Sequence, residues 1–170
     1  MKKVLLATLL FLGVAATSFA QDGGKFSVGV EAGLPVGDGS KTQSFAIGGS
    51  LKYDIPIADA LAFTISAGYT SFQGKTTTVS SGANSLTIKY PAAGFVPVKA
   101  GIKYFLAESF YGEVQVGAAF STQSRGGVAF AYSPGIGYKF SDVLDLGVRY
   151  EGWSKNGTVS QIGARLGFSF

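Results

Sequence analysis

The chain has 170 residues, a length typical of one domain, and 46% of them are apolar. Its formal net charge is only +4 and its cations are scattered, which argues against a protein that binds nucleic acid. Cysteine and histidine are both absent. Their absence excludes disulfides, the usual general base at neutral pH and the commonest metal ligand, so we expect neither a metal site nor a cofactor.

The first twenty residues have the features of a secretory signal peptide. Lys2 and Lys3 precede an apolar run that ends at Ala16, and small residues lead up to Ala20. A retained membrane helix is the alternative, but the run is shorter than the roughly twenty residues that such a helix needs. We therefore predict residues 1–20 as a cleaved signal peptide and residues 21–170, which begin at Gln21, as the mature domain.

The mature part alternates large apolar residues with small or polar ones, which is the period of β-strands. In the first segment, for example, Val28 and Val30 alternate with Gly29 and Glu31. We count eight such segments. Their connections alternate between tight turns (56–60, 107–109, 141–143) and longer loops (35–42, 73–93, 121–127, 154–157), the last of which contains the hairpin signal Asn156-Gly157.

An even number of strands, with short turns at one end and longer loops at the other, is typical of a bacterial outer-membrane barrel. We therefore predict an all-β fold, an eight-stranded antiparallel up-and-down transmembrane β-barrel. Both termini would then lie at the short-turn, periplasmic end. A soluble sandwich or a lipocalin-like soluble binder is the alternative, since such folds also alternate.

The sizes of the side chains indicate which face of each strand contacts lipid. The polar positions are also the small, glycine-rich ones, and the interior of an eight-stranded barrel is just wide enough for side chains to fill it. The bulky apolar set is therefore predicted to face outward. Its aromatic members fall into two predicted girdles, one near the short turns (Tyr53, Tyr104, Phe110, Phe140, Phe168, Phe170) and one toward the long loops (Phe45, Tyr69, Phe120, Phe130).

The last strand carries an apolar stripe that continues to the final residue, made of Ile162, Ala164, Leu166, Phe168 and Phe170. With this ending, the mature chain resembles the small eight-stranded outer-membrane β-barrel proteins of Gram-negative bacteria, the OmpA/OmpX-like or "outer membrane protein beta-barrel domain" group, also called the porin family. The resemblance implies that the stripe is the signal read by the barrel assembly machinery during biogenesis.

Charged residues at inward positions are predicted to form a network of salt bridges, because isolated charges in a narrow lumen would be costly. A closed barrel makes the first and eighth strands neighbours, which places Glu31 near Arg165. The fourth and fifth strands bring Lys99 or Lys103 to Glu113. With Arg149, these residues complete the predicted network. Its predicted role is structural; a gated ion path is the alternative.

Several outer-membrane barrels are enzymes, among them lipid A deacylases, palmitoyltransferases, phospholipases and omptin proteases. The members to which the chain is compared use histidine in their catalytic groups, and this chain has none. The resemblance therefore implies a protein that is not an enzyme.

The predicted long loops are basic. We expect Lys41, Lys75, Lys89, Arg125 and Lys155 to contact the phosphate groups of lipopolysaccharide, with ordinary solvated loop charges as the alternative. The longest loop, which begins at Gln73 and ends at Ala93, has two β-prone arms. We expect a protruding hairpin there, with edges open to strand addition by a protein partner. The alternative is a mobile threonine-rich loop.

Together these observations predict a monomeric protein of the outer membrane with a structural or surface-interaction role. A narrow salt-bridged lumen would give stability, and loops would be available for contacts with lipid, lipopolysaccharide or protein. The alternative function is a minor porin-like passage for small solutes.

Overall fold

A computed structural model describes residues 23–81, 84–123, 126–155 and 157–170. The predicted signal peptide, residues 1–20, lies outside the described residues, and so do Arg125 and Asn156. Among the residues described, no helix has the length and apolarity to cross a bilayer.

Eight long strands form the main sheet: β1 (Lys25–Val36), β2 (Gln43–Ala58), β3 (Leu61–Gly74), β6 (Ala93–Phe105), β7 (Phe110–Ser121), β8 (Val128–Lys139), β9 (Leu144–Ser154) and β10 (Thr158–Ser169). Two short strands, β4 (Thr76–Ser81) and β5 (Asn84–Lys89), form a separate two-stranded sheet within the longest connection. A single helical turn, α1 (Gly39–Thr42), lies between β1 and β2.

The eight long strands close into a barrel in which each pairs antiparallel with its neighbours. Closure occurs between β1 and β10, where Val30 lies opposite Leu166 and Glu31 lies opposite Arg165. The strands have 11 to 16 residues, enough to cross a bilayer when tilted. The predicted fold, an eight-stranded antiparallel up-and-down barrel, is confirmed.

The two ends of the barrel differ. At the short-turn end, residues 59–60, 106–109 and 140–143 join the strands, and β1 begins where β10 finishes. At the long-loop end lie α1, the β4–β5 hairpin and the connections that follow β7 and β9. The two arms of the longest loop pair with each other as β4 and β5, which form the predicted hairpin.

The outer surface is apolar and the inner surface is polar. Val30 and Ile162 are 61% and 52% exposed, whereas Lys52 and Arg165 are each only 4% exposed. This is the reverse of a soluble barrel and follows from the width of the lumen, which accepts small residues and extended polar chains but few bulky ones. Because the polar side chains face inward, the candidate functional site lies in the barrel interior and at its two ends.

Candidate functional site

Among the residues that the structure describes, ten charged side chains of the barrel interior pair with one another, five cations and five anions: Lys52, Lys99, Lys103, Arg149, Arg165, Glu31, Asp54, Glu113, Asp145 and Glu151. We call this set the inner network. Each member lies within 4.0 Å of an opposite charge. Buried ions lose their hydration, so charged side chains in a narrow lumen are stable only when each is paired with an opposite charge. The inner network is also neutral overall.

Toward the long-loop end, the inner network centres on two carboxylates. An Arg149 Nη2 atom lies 2.7 Å from Glu31 Oε2 and 3.5 Å from Glu151 Oε2. Glu151 also accepts hydrogen bonds from Lys99 and from Gln161, the latter at 3.0 Å. Glu151 is only 1% exposed, so these donors replace its water shell.

The predicted contact between Glu31 and Arg165 is confirmed. Arg165 Nε lies 3.9 Å from Glu31 Oε1, and the Ser50 hydroxyl joins the two. This hydroxyl accepts a hydrogen bond from Arg165 Nε at 2.9 Å and donates one to Glu31 Oε1 at 2.6 Å. The contact follows from the register of β1 and β10, which sets the two residues directly opposite each other.

The predicted partner of Glu113 was wrong. Lys103 does lie opposite Glu113 in the β6–β7 register, but its ammonium bonds Asp54 on β2, while Lys99 bonds Glu151 on β9. Glu113 instead pairs with Lys52, at 3.2 Å. β2 does not adjoin β7, so this pair crosses the lumen. Long inward side chains reach across a barrel this narrow, and a prediction based on neighbouring strands misses such pairs.

Above the inner network, three aromatic side chains fill the lumen at the long-loop end. Phe72 and Trp153 are 1% and 2% exposed, and their ring centroids are 5.1 Å apart. Phe95 lies 4.8 Å from Trp153 and 6.0 Å from Phe72. We call these three residues the aromatic layer. Small residues on the surrounding strands make room for it, among them Ala46, Ala119 and Ala131.

Sequence reasoning missed the aromatic layer because it assigned bulky apolar residues only to the outer face. The signal was present: Phe72 follows the inward Thr70 by two residues, and Trp153 follows the inward Glu151 by two. The assignment of bulky apolar residues to lipid therefore holds along most of each strand but not near the ends of the lumen.

Toward the short-turn end, Tyr111 lies beneath the inner network. Its hydroxyl donates to Asp145 Oδ2 at 2.5 Å, and the Lys103 ammonium lies 4.6 Å from the centre of its ring. Phe105 packs against the same ring at 5.9 Å. Beyond these residues a cavity of about 220 Å³ opens to the outside. The three described cavities deeper in the lumen measure only about 10 to 20 Å³.

The described basic side chains of the long-loop end are exposed, and two of them also donate to carbonyl groups of neighbouring loops. Lys41 contacts Asp38 at 2.7 Å, and the lysine holds the pKa of that carboxyl below its usual range. Lys75 Nζ donates to the Ser40 carbonyl at 3.0 Å, and Lys155 Nζ donates to the Gly126 carbonyl at 2.8 Å. Lys89 lies in β5 and is exposed. Arg125 is outside the described residues.

The β4–β5 hairpin stands apart from the barrel sheet. Thr78 lies opposite Thr87, with their hydroxyls 3.3 Å apart, and the pairing continues to Thr76 and Lys89. Leu86 is 65% exposed. No strand that the structure describes pairs with either outer edge of this sheet, so both edges present unpaired backbone groups.

The C-terminal stripe faces outward. Ile162, Phe168 and Phe170 are exposed, and Ala164 and Leu166 on the same face are half-buried. The Phe170 amide donates to the Phe26 carbonyl at 2.9 Å, and the two rings lie 5.4 Å apart. The last residue thus joins the seam where the barrel closes.

Comparison with known proteins agrees with this geometry. No curated protein is significantly similar in sequence. Among solved structures, the fold is similar to that of Ail, the attachment invasion locus protein of Yersinia pestis (TM-score 0.59, 16% identity, 86% of this chain and 97% of Ail). It is also similar to the outer membrane enzyme PagL (TM-score 0.58, 17% identity, 84% and 98%) and to a de novo designed transmembrane β-barrel (TM-score 0.53, 14% identity, 86% and 95%).

A family model described as "Outer membrane protein beta-barrel domain" matches residues 5–170. The likeness to solved structures establishes the fold, and the family match covers nearly the whole chain. The chain therefore belongs to the outer membrane protein beta-barrel domain family, which places it in the outer membrane.

Proposed function

We propose that this protein is an outer-membrane barrel with a structural and surface-interaction role, in which the barrel provides anchorage and the long loops provide contacts. The observation that carries the proposal is the filled lumen. The inner network and the aromatic layer lie one above the other, and Trp153 in the upper layer is almost fully buried. These two layers, built from residues that the structure describes, oppose the passage of solutes through the lumen.

The small size of the inner cavities supports the same conclusion. At about 10 to 20 Å³, each is of the order of the space that one water molecule requires. An ion crossing the lumen would have to displace paired charges such as Lys99 and Glu151, which lack solvent to compensate them. A minor porin-like passage is therefore the less favoured function.

The proposed role is not catalytic. The chain has no histidine or cysteine to serve as base or nucleophile. Tyr111, whose hydroxyl donates to a carboxylate, is engaged in holding Asp145 and the two lysines near its ring. The likeness to PagL is one of fold, at 17% identity, and brings no activity to this chain.

We place both termini in the periplasm and the long loops at the cell surface. This orientation puts Lys41, Lys75, Lys89, Arg125 and Lys155 next to the phosphate groups of lipopolysaccharide. It also presents the β4–β5 hairpin, with its two open edges, to a protein partner that adds a strand. The exposed stripe ending at Phe170 is the proposed contact for the barrel assembly machinery, and the working form is a monomer.

Single-channel recording in planar bilayers tests this function. We expect no steady openings from the natural protein. Replacing Trp153 by Ala removes the largest ring of the aromatic layer, and Trp153→Ala combined with Glu151→Gln also disrupts the network below it. These variants are expected to admit brief, small currents. Steady openings of the natural protein that charge changes at Arg149 or Arg165 abolish would instead support passage of solutes.

A further inference from the structure

The β4–β5 hairpin presents an apolar face that the barrel does not cover. Thr77 lies opposite Ile88, and Leu86 lies two residues before Ile88, so the three residues share one face of the hairpin. Leu86 is 65% exposed and Ile88 is 39% exposed, and the two strands pack mainly against each other. A two-stranded hairpin is at best marginally stable by itself, whereas a sheet of three or more strands with a hydrophobic face is stable. The hairpin would therefore gain stability from added strands.

The edges of the hairpin lack the features that usually prevent strand addition. Exposed edges of natural sheets are commonly blocked by charged residues, prolines or bulges. From Thr76 to Ile88 the chain has no charged residue and no proline, and the β4–β5 register runs without a shift. Short, uncharged, β-prone segments of this kind pair readily with identical segments of other copies. A second copy of this chain therefore offers a matching strand.

The edge of β5 is the more accessible of the two. The base of β4 is held by the connection between β1 and β2, because the Lys75 amide donates to the Thr42 carbonyl at 2.8 Å. On the other side of the hairpin, the Gln123 side chain donates to the Ala92 carbonyl at 3.2 Å, and Ala92 lies beyond the end of β5. Residues 85–89 are all exposed. These five residues therefore offer an open edge.

One register pairs two β5 edges without a mismatch of apolar and polar residues. Residues that lie opposite each other in an antiparallel pair share a face, so the apolar residues of one copy should lie opposite those of the other. Pairing centred on Thr87 achieves this, because it sets Leu86 opposite Ile88 and Thr87 opposite Thr87 of the second copy. A two-fold axis perpendicular to the sheet relates the copies, so Leu86 and Ile88 of both lie on the same face of a four-stranded sheet.

The charges at the base of the hairpin favour copies in facing membranes. Lys75 and Lys89 lie at this base, and the connection between β3 and β6 has no acidic residue. Hairpins that project from the same membrane point the same way, so their β5 strands would pair parallel, with the two Lys89 residues side by side. Hairpins from facing membranes meet antiparallel, and the Thr87-centred register places Lys89 opposite Ser85 of the second copy. This arrangement separates like charges, which are destabilising when they lie opposite each other.

We propose that the β5 edge pairs with the β5 edge of a second copy in a facing membrane, so that the protein joins two outer-membrane surfaces. The proposal rests on the proposed function, since it identifies the partner that adds a strand to the hairpin. The strands of six residues extend about 20 Å, and the other connections at this end are shorter, so the hairpin makes the first contact. Each barrel remains a monomer in its own membrane. One pairing is short, but many copies on two facing surfaces bind together.

Tethering of vesicles tests the proposal. Vesicles of phosphatidylcholine, which contain no lipopolysaccharide, carry the folded protein and one of two fluorescent labels. We expect the two populations to form mixed clusters, whereas vesicles with the protein should not cluster with protein-free vesicles. Thr87→Lys and Thr87→Glu should each reduce clustering to the level of protein-free vesicles, because two like charges then lie directly opposite each other. Mixing Thr87→Lys vesicles with Thr87→Glu vesicles should restore clustering, because opposite charges then meet.

Thr158→Lys and Thr158→Glu are the matched controls, since Thr158 is exposed at the same end of the barrel but outside the hairpin. These variants should cluster as the natural protein does. Heat-modifiable migration on gels establishes that each variant is folded in its vesicles.

The proposal is overturned if the natural protein does not cluster vesicles, or if it clusters equally with protein-free vesicles, which would indicate binding to lipid. It is also overturned if folded Thr87→Lys clusters as the natural protein does, or if mixing the two charges at position 87 restores nothing. Equal loss in the Thr158 variants would assign clustering to surface charge in general and reject the β5 pairing. None of these outcomes decides the proposed function, because the absence of steady openings in planar bilayers depends on the lumen and not on the hairpin.

Discussion

Tyr111 on β7 lies directly opposite Gly137 on β8, and its ring occupies the space that a side chain at Gly137 would take. A Cβ atom built on Gly137 would overlap the ring and the hydroxyl of Tyr111. The hydrogen bond from Tyr111 to Asp145 therefore depends on the missing side chain at Gly137.

Replacing Gly137 by Ala should destabilise the barrel by about 1–3 kcal/mol, the usual cost of overfilling a packed interior. Gly112→Ala is the control, because a Cβ atom there meets no atom within 4 Å, and it should change stability by less than about 0.5 kcal/mol. Urea unfolding in detergent, followed by heat-modifiable migration on gels, measures both. Equal stability of the two variants would mean that the Tyr111 ring moves aside without loss.

The pair that crosses the lumen between β2 and β7 should contribute strongly to stability. Lys52→Met leaves Glu113 buried without its partner, and Glu113→Leu leaves Lys52 in the same condition. Each change should lower the free energy of unfolding by about 3–5 kcal/mol. The double variant should lose much less than the sum of the two, because it leaves neither charge unpaired. An unchanged melting transition in both single variants would contradict the pairing.

The C-terminal aromatic residue should matter more for assembly than other lipid-facing aromatics. Phe170→Ala removes the ring contact with Phe26 and part of the proposed assembly signal. It should reduce the folded fraction in outer membranes. Phe140→Ala is the matched control, since Phe140 is 59% exposed and Phe170 is 58% exposed. Semi-native gels of isolated membranes report the folded band, and similar loss in both variants would point to general lipid anchoring alone.

Binding of lipopolysaccharide should require several lysines of the long-loop end together. Joint replacement of Lys41, Lys75 and Lys89 by Gln should weaken binding to lipopolysaccharide vesicles, and this effect should shrink at high salt. Single replacements should have little effect, because each lysine contributes one of several exposed charges. The joint change to Arg keeps the charges and should keep binding. If the Gln and Arg variants bind alike, these lysines are ordinary solvated charges.

Much of this fold can be read from the alternation of side chains. The contact between Glu31 and Arg165 follows from sequence, because closing an even number of strands brings the first and last together and the inward parity sets both residues on one face. The ion pair between Lys52 and Glu113 was not predicted, because their strands are not neighbours in the barrel. Such a pair depends on the diameter of the lumen and on how far a lysine extends, and strand periodicity contains neither quantity.

The aromatic layer shows a second limit. Phe72 and Trp153 lie at inward positions near strand ends, where surrounding alanines leave space that small residues do not fill. Whether a bulky residue fits inside depends on the side chains that the other seven strands place at the same level of the lumen. The cavity at the short-turn end likewise arises from the ends of several strands, so its residues have no shared spacing in the sequence.

Glu31 lies on the first barrel strand, whereas Arg149 and Arg165 lie on the last two, and the Glu31–Arg149 hydrogen bond spans 118 positions of the chain. An incompletely curled sheet therefore exposes two unpaired backbone edges and also leaves a carboxylate without its counterions. Joining β1 to β10 removes both penalties in one event. The charge arrangement thus makes barrel closure cooperative. A sheet with an open seam is less stable than the completed barrel, because it has unpaired backbone edges and an unpaired carboxylate. Such a sheet should therefore not accumulate during membrane insertion.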